Sequence, residues 1–267
     1  MHRKVFSAKR KFHKLWRITV SPIVKVNPTP IFVLGNQKSG TTAIAALLAK
    51  YTDRSVALDL RGIYEPMQTA IHAGDITFED FVRLNKYDFS RDIIKEPCLA
   101  LLYPELKRVF PRAQFLMIVR DPRHNIRSIL NRLGISGNLG NIDPNTIPSI
   151  SPEWQLVLDG QWLGLQGRTY IEILAARWNR VSDVYLEHTD EIVLVRYEDF
   201  VADKVETIEE LARRLGLPQV NDIADKVDIQ YQLRGNRDVS WEEFFGLENL
   251  MRIEQICGSR MEKFGYK

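Results

Sequence analysis

Two periodicities alternate along the chain. Residues 31–34 (IFVL), 114–119 (QFLMIV) and 191–195 (EIVLV) are near-continuous apolar runs, the pattern of strands buried on both faces of a parallel sheet. Residues 55–59 (SVALD) and the Ile93-Ile94 pair inside DIIKEP read as further strands. Between these runs the apolar positions recur three and four residues apart. Helices are predicted from Thr42 through Ala49, around Phe78, Phe81 and Leu84, over 99–110, and after Pro122 through Ile126, Ile129, Leu130 and Leu133. The same spacing returns over 169–188 and 205–217, and in a C-terminal helix carrying Leu247, Leu250, Ile253, Ile256 and Met261. Strand and helix in alternation predict one α/β domain with a mostly parallel sheet and helices on both faces.

The first strand and helix carry the clearest chemistry. Gly35 ends the strand, the loop reads NQKSGTT, and Thr41 or Thr42 is a natural N-cap for the helix that follows. Strand, glycine-bearing loop and helix form a phosphate cradle, because loop amides and the positive end of the helix dipole converge on one point. The loop has the outer frame of a Walker A motif without its lysine. The position after Gly40 is Thr41, and the lysine stands earlier, at Lys38.

Composition changes this picture little, and charge adds one feature. At 267 residues the chain can bury one large core. No apolar stretch is long enough for a membrane span, and the N-terminus lacks the apolar centre of a signal peptide. Cys98 and Cys257 are far apart, which gives no zinc spacing and no disulfide framework and suits a reducing, cytoplasmic setting. The net charge of +3 hides an asymmetry, since every charged residue before Asp53 is basic. In residues 1–28, Arg3, Lys4, Lys9, Arg10, Lys11, Lys14 and Arg17 surround Val5, Ala8, Phe12, Leu15 and Trp16 at helical spacing. This basic arm is expected either to pack its apolar stripe on the domain or to contact an anionic membrane surface. No recognition motif supports nucleic acid as a partner.

The loop KSGTT resembles the 5′-phosphosulfate loop of sulfotransferases that use 3′-phosphoadenosine 5′-phosphosulfate (PAPS). Arg120, directly after the 114–119 strand, and Ser128, eight residues on, resemble that family's 3′-phosphate site. The resemblance runs from residue 30 to the end, which looks like that of bacterial members, and it implies a P-loop-type fold over 29–267. It further implies PAPS as donor, PAP as product, and no required metal. Lys38, Ser39, Gly40, Thr41 and Thr42 would hold the 5′-phosphosulfate, and Arg120 with Ser128 the 3′-phosphate that ATP lacks. Tyr197, in a Tyr-Glu-Asp run after a strand, would lie near the adenosine. Arg234 and Arg237 are candidates for a late basic turn over the 3′-phosphate, although LRGNR departs from the family pattern.

Catalysis would need a base and charge neutralisation. Glu65, just before Pro66, stands where glutamate-dependent members place their base, with Asp59 and His72 as rivals. Lys38 and Lys95 would neutralise charge on the transferred group, Lys95 from the C-terminal edge of the sheet where α/β ligands bind. Residues 134–167 are rich in glycine, asparagine, proline and serine and are expected to cover the acceptor site, with Trp154 and Trp162 offering flat apolar surfaces. The acceptor could be a small molecule, a saccharide or a lipid. Two other readings stay open: a nucleotide kinase or NTPase on the same fold, and a membrane-peripheral protein with a degenerate P-loop.

Overall fold

The computed structural model describes residues 24–229 and 239–266. Most of the basic arm, Arg234 and Arg237 therefore lie outside the described residues. Five strands form one sheet: β1 (Ile31–Gly35), β2 (Val56–Ala57), β3 (Ile93–Lys95), β4 (Gln114–Val119) and β5 (Ile192–Arg196). Their order is β2-β3-β1-β4-β5, and every pairing is parallel. All C-terminal strand ends thus share one edge. The chain builds outward from β1 to β2, returns at β3, and crosses to the other side at β4. The crevice of such a sheet opens where the winding reverses, beside β1.

The helices are α1 (Thr41–Tyr51), α2 (Met67–Ala73), α3 (Phe78–Leu84), α4 (Lys86–Phe89), α5 (Tyr103–Val109) and α6 (Pro122–Leu133). After them come α7 (Pro152–Leu158), α8 (Tyr170–Leu186), α9 (Tyr197–Ala202), α10 (Lys204–Arg214) and α11 (Trp241–Lys263), the last broken at Gly246. Alternation along β1 explains the layers. Ile31 and Val33 meet Ile44, Leu47 and Leu48 of α1 and Ile208 and Leu211 of α10. Phe32 and Leu34 face an aromatic core on the opposite side, where the Phe32 and Phe115 rings stack with centroids 5.8 Å apart. A third cluster joins α6, α8 and α11 around Trp178, Ile253 and Phe264. None of the helices among the described residues is long and apolar enough to cross a membrane.

Several local expectations are corrected. Gly40, not Thr41 or Thr42, is the N-cap of α1, and no side chain caps that helix. The stretch expected as one helix over 99–110 is a 3₁₀ segment, Pro97–Leu102, followed by α5, because Pro104 deprives the chain of one backbone donor at the junction. Leu84 and Leu247 do not join the core and are 62% and 69% exposed. Residues 134–167 are not continuous loop, since they contain α7 and two 3₁₀ turns.

Candidate functional site

The cradle is shaped by backbone conformations that ordinary side chains avoid. Lys38 and Gly40 have φ of 68° and 93°, left-handed conformations of the kind found in anion-binding loops, and the Ser39 amide between them donates to the Asn36 carbonyl at 3.2 Å. With no side-chain cap on α1, the first helical amides have no internal side-chain acceptor, which suits an anion. Glycine is required at position 40 for a second reason. A Cβ there would lie 2.3 Å from Cδ2 of Tyr197. At the strand end, a Cβ on Gly35 would lie 2.6 Å from the Ile118 carbonyl oxygen, so β4 approaches β1 too closely there for a side chain.

Buried amides lock the loop to α6. Asn125, fully buried, donates from Nδ2 to the Gln37 carbonyl (2.8 Å) and to Ser39 Oγ (3.0 Å), and its Oδ1 accepts from Asn36 Nδ2 at 2.9 Å. Neither Asn36 nor Asn125 is marked by the motif. The only signal in sequence is an asparagine standing on the helical face that also carries Ile126, Ile129 and Leu130.

Arg120, Tyr197 and the cradle form one unit. Arg120 Nη1 donates to the Lys38 carbonyl at 2.9 Å, and the guanidinium lies 4.5 Å above the Tyr197 ring that packs on Gly40. The Trp178 indole in turn donates to the Arg120 carbonyl at 2.9 Å, fixing the end of β4 against α8. Asp121 caps α6 by accepting from the Arg123 amide. Burial, then the charges of Arg132 and Arg120, bring the Lys38 ammonium down to about 8. Arg132 was not anticipated, although it is one turn beyond Ser128 and so shares its helix face. Ser128 is half-buried on α6. His124 on the same helix is brought down to about 4, chiefly by burial and against the pull of Asp121, with Arg120, Arg127 and Arg123 adding to the fall. The charges of Arg120 and Arg132 thus both reach Lys38 in the cradle.

At the neighbouring strand end, Lys95 is 2% exposed and its Nζ lies 2.6 Å from Asp59 Oδ1, past the end of β2. Glu96 beside it accepts from the Leu60 and Cys98 amides, and burial pushes its carboxyl up. Glu65 is not joined to this group by any hydrogen bond. Its carboxylate accepts from the Thr69 amide (3.2 Å) and hydroxyl (2.8 Å) and reaches into the wall of a cavity of about 820 Å³. The rest of that wall comes mainly from residues 141–173, including Ile142, Leu158, Leu165 and Tyr170. Lys38 and Lys95 do not line it. Of the rival bases, Asp59 is engaged by Lys95, and His72 is exposed, its ring set edge-on to Trp162 with centroids 5.1 Å apart. Trp162 anchors its own segment by donating to the Leu156 carbonyl at 2.9 Å.

The comparisons bear on the fold and the family of this chain. A search of curated protein sequences returned no match to this chain. Among solved structures, the sulfotransferase STF9 from Mycobacterium avium superposes with a TM-score of 0.52 at 12% identity, over 96% of this chain and 81% of that one. Mouse sulfotransferase SULT7A1, solved with PAP, gives 0.50 at 14% identity, over 91% and 87%. At such identities the likeness is one of fold. The model of the sulfotransferase family matches residues 67–222, more than half of the chain, and this match spans β3, the Arg120 turn and Tyr197 while leaving out the cradle itself. With a matching fold and a match that includes the Arg120 turn, the chain belongs to the sulfotransferase family.

Proposed function

We propose that the protein transfers a sulfuryl group from PAPS to a hydroxyl or amine of an acceptor held in the 820 Å³ cavity, releasing PAP. The observation that carries this reading is the Arg120 unit. A guanidinium stands beside the cradle, bonded to the Lys38 carbonyl and stacked on Tyr197, where a second phosphate can be held apart from the first. The residues fit such a donor: no side chain occupies the cap position of α1, and Lys38, Arg120 and Arg132 bring positive charge to the cradle.

PAPS supplies an activated sulfuryl group with a good leaving group. Cradle amides and Lys38 hold the 5′ end, while Arg120 and Ser128 hold the 3′-phosphate. Glu65, oriented by Thr69 and retaining free lone pairs, takes the proton of the acceptor group. Lys38 and Lys95 neutralise the charge that develops as the bond to the leaving phosphate breaks. Lys95 does so from its pair with Asp59, whose Oδ1 lies 2.6 Å from Nζ.

Thermal unfolding with PAP, AMP and Mg-ATP tests this. A ligand at a hundred times its Kd stabilises by about 2.7 kcal/mol, or about 5 °C for a domain of this size. PAP should give that shift, AMP should not, and Arg120→Ala should abolish it. A shift with Mg-ATP alone would replace this reading with a kinase. Liposome binding without PAPS turnover would favour a membrane-peripheral role.

A further inference from the structure

Arg123 and Arg177 are both buried arginines, 5% and 1% exposed, but their surroundings differ. Arg123 has carboxylates at 2.7 Å (Asp121) and 3.0 Å (Glu254). Arg177 has none among the described residues. Its Nη2 donates to Gln37 Oε1 at 3.1 Å, while Nε and Nη1 are buried without a hydrogen-bond partner. Cys98 Sγ, a soft acceptor whose charge would act on Arg177, already accepts from Gln37 Nε2 at 3.4 Å.

A guanidinium keeps its charge at any ordinary pH, so it cannot escape the cost of burial by losing a proton. Buried charges of this kind are normally matched by an anion with paired hydrogen bonds. The location indicates where such an anion would come from. Arg177 is one helical turn beyond Ile173 of the cavity wall, and it bonds the residue directly before Lys38. The Trp162 indole, which belongs to the segment around the cavity, covers the guanidinium at 5.9 Å.

We propose that Arg177 anchors an oxyanion group of a substrate at the junction of the cavity and the phosphate cradle, with Trp162 as the cover that moves aside. The planar fork of the guanidinium suits two-point binding of a sulfuryl, carboxylate, sulfate or phosphate group. This rests on the sulfotransferase reading for the two sources of that group: the sulfuryl of PAPS or an anionic substituent on the acceptor.

Calorimetric titration of wild type and Arg177→Met decides between them. Methionine keeps the length of the stem and removes the charge. In the first arm, PAP and PAPS are titrated separately. A PAPS-to-PAP affinity ratio that falls at least about tenfold in the variant, with PAP binding kept, identifies the sulfuryl group. In the second arm, sulfate is titrated into protein saturated with PAP. Sulfate binding lost in the variant, with the PAPS-to-PAP ratio unchanged, identifies an acceptor anion. Arg177→Lys, which keeps the charge without the fork, should fall between. The unliganded variant should unfold no earlier than wild type, since an unpaired buried charge has been removed. Unchanged binding in both arms overturns the proposal, as does a variant that is less stable and has also lost PAP. If PAP fails to bind even the wild type, the sulfotransferase reading falls. Sulfate titrated into the free protein then tests the anchor alone, and equal binding by wild type and Arg177→Met overturns it.

Discussion

Gly40→Ala tests whether the cradle is held by the contact between loop and Tyr197. The new Cβ would lie 2.3 and 2.4 Å from Cδ2 and Cε2 of the Tyr197 ring, so the ring must retreat by about 1 Å to reach ordinary contact. It retreats against the Arg120 guanidinium 4.5 Å above it, which in turn holds the Lys38 carbonyl. Overpacking of this kind costs about 1–3 kcal/mol. The φ of 93° adds roughly 1–2 kcal/mol for a residue with a side chain. Reduced freedom of the unfolded chain returns about 0.4–1 kcal/mol, leaving a net loss of about 1–5 kcal/mol. With about 2.1 cal/mol/K of unfolding entropy per residue, this lowers Tm by about 2–9 °C. The assay is thermal unfolding of Gly40→Ala, Tyr197→Ala and the double variant, with PAP binding measured on each. In the Tyr197→Ala background the steric part disappears, and the substitution at Gly40 should cost only the backbone part of about 1–2 kcal/mol. An equal cost in both backgrounds would refute the contact argument.

Three further outcomes are expected. Lys38 is lowered from 10.5 to about 8, so the unliganded fold is penalised below about pH 8 and regains stability as pH rises toward 10.5. An anion in the cradle restores the charged form; PAP should therefore bind with proton uptake at pH 8.5 and more weakly as pH rises, and Lys38→Met should show neither. Calorimetry in two buffers of different ionisation enthalpy reads the uptake, and identical binding at pH 7 and 9 would contradict it. Asn125→Ala removes three hydrogen bonds and leaves the buried Asn36 amide without its partner, a loss of about 2–4 kcal/mol in urea unfolding. A loss under about 1 kcal/mol would mean that the amide network does not hold the loop. Glu65→Gln keeps an oxygen for Thr69 and should leave PAP binding intact while turnover drops about 10²–10⁴-fold. Undiminished turnover would move the base to Asp59 or His72.

Features governed by neighbours in sequence were legible from sequence. The run 31–34, apolar at every position, could only be a strand covered on both faces, and the structure divides its side chains between two cores. The motif around Lys38 and the Arg120 turn were both identifiable because each is contiguous and follows a buried strand. Which residue caps α1 was not legible, because threonine propensity is local whereas the space for a side chain at position 40 is set by Tyr197, far along the chain. Leu84 and Leu247 fit helical spacing but face solvent, since periodicity identifies a stripe and not whether another element covers it. The Asn36–Asn125 lock, the Lys95–Asp59 pair and the burial of Arg177 without a carboxylate partner among the described residues are likewise products of how distant segments meet. Sequence alone determined the alternation of strands and helices and the loop chemistry, because both are set by side chains a few residues apart. Only the tertiary structure decided which of those side chains share the crevice, because parallel strands joined by crossovers bring together the ends of segments that lie far apart along the chain.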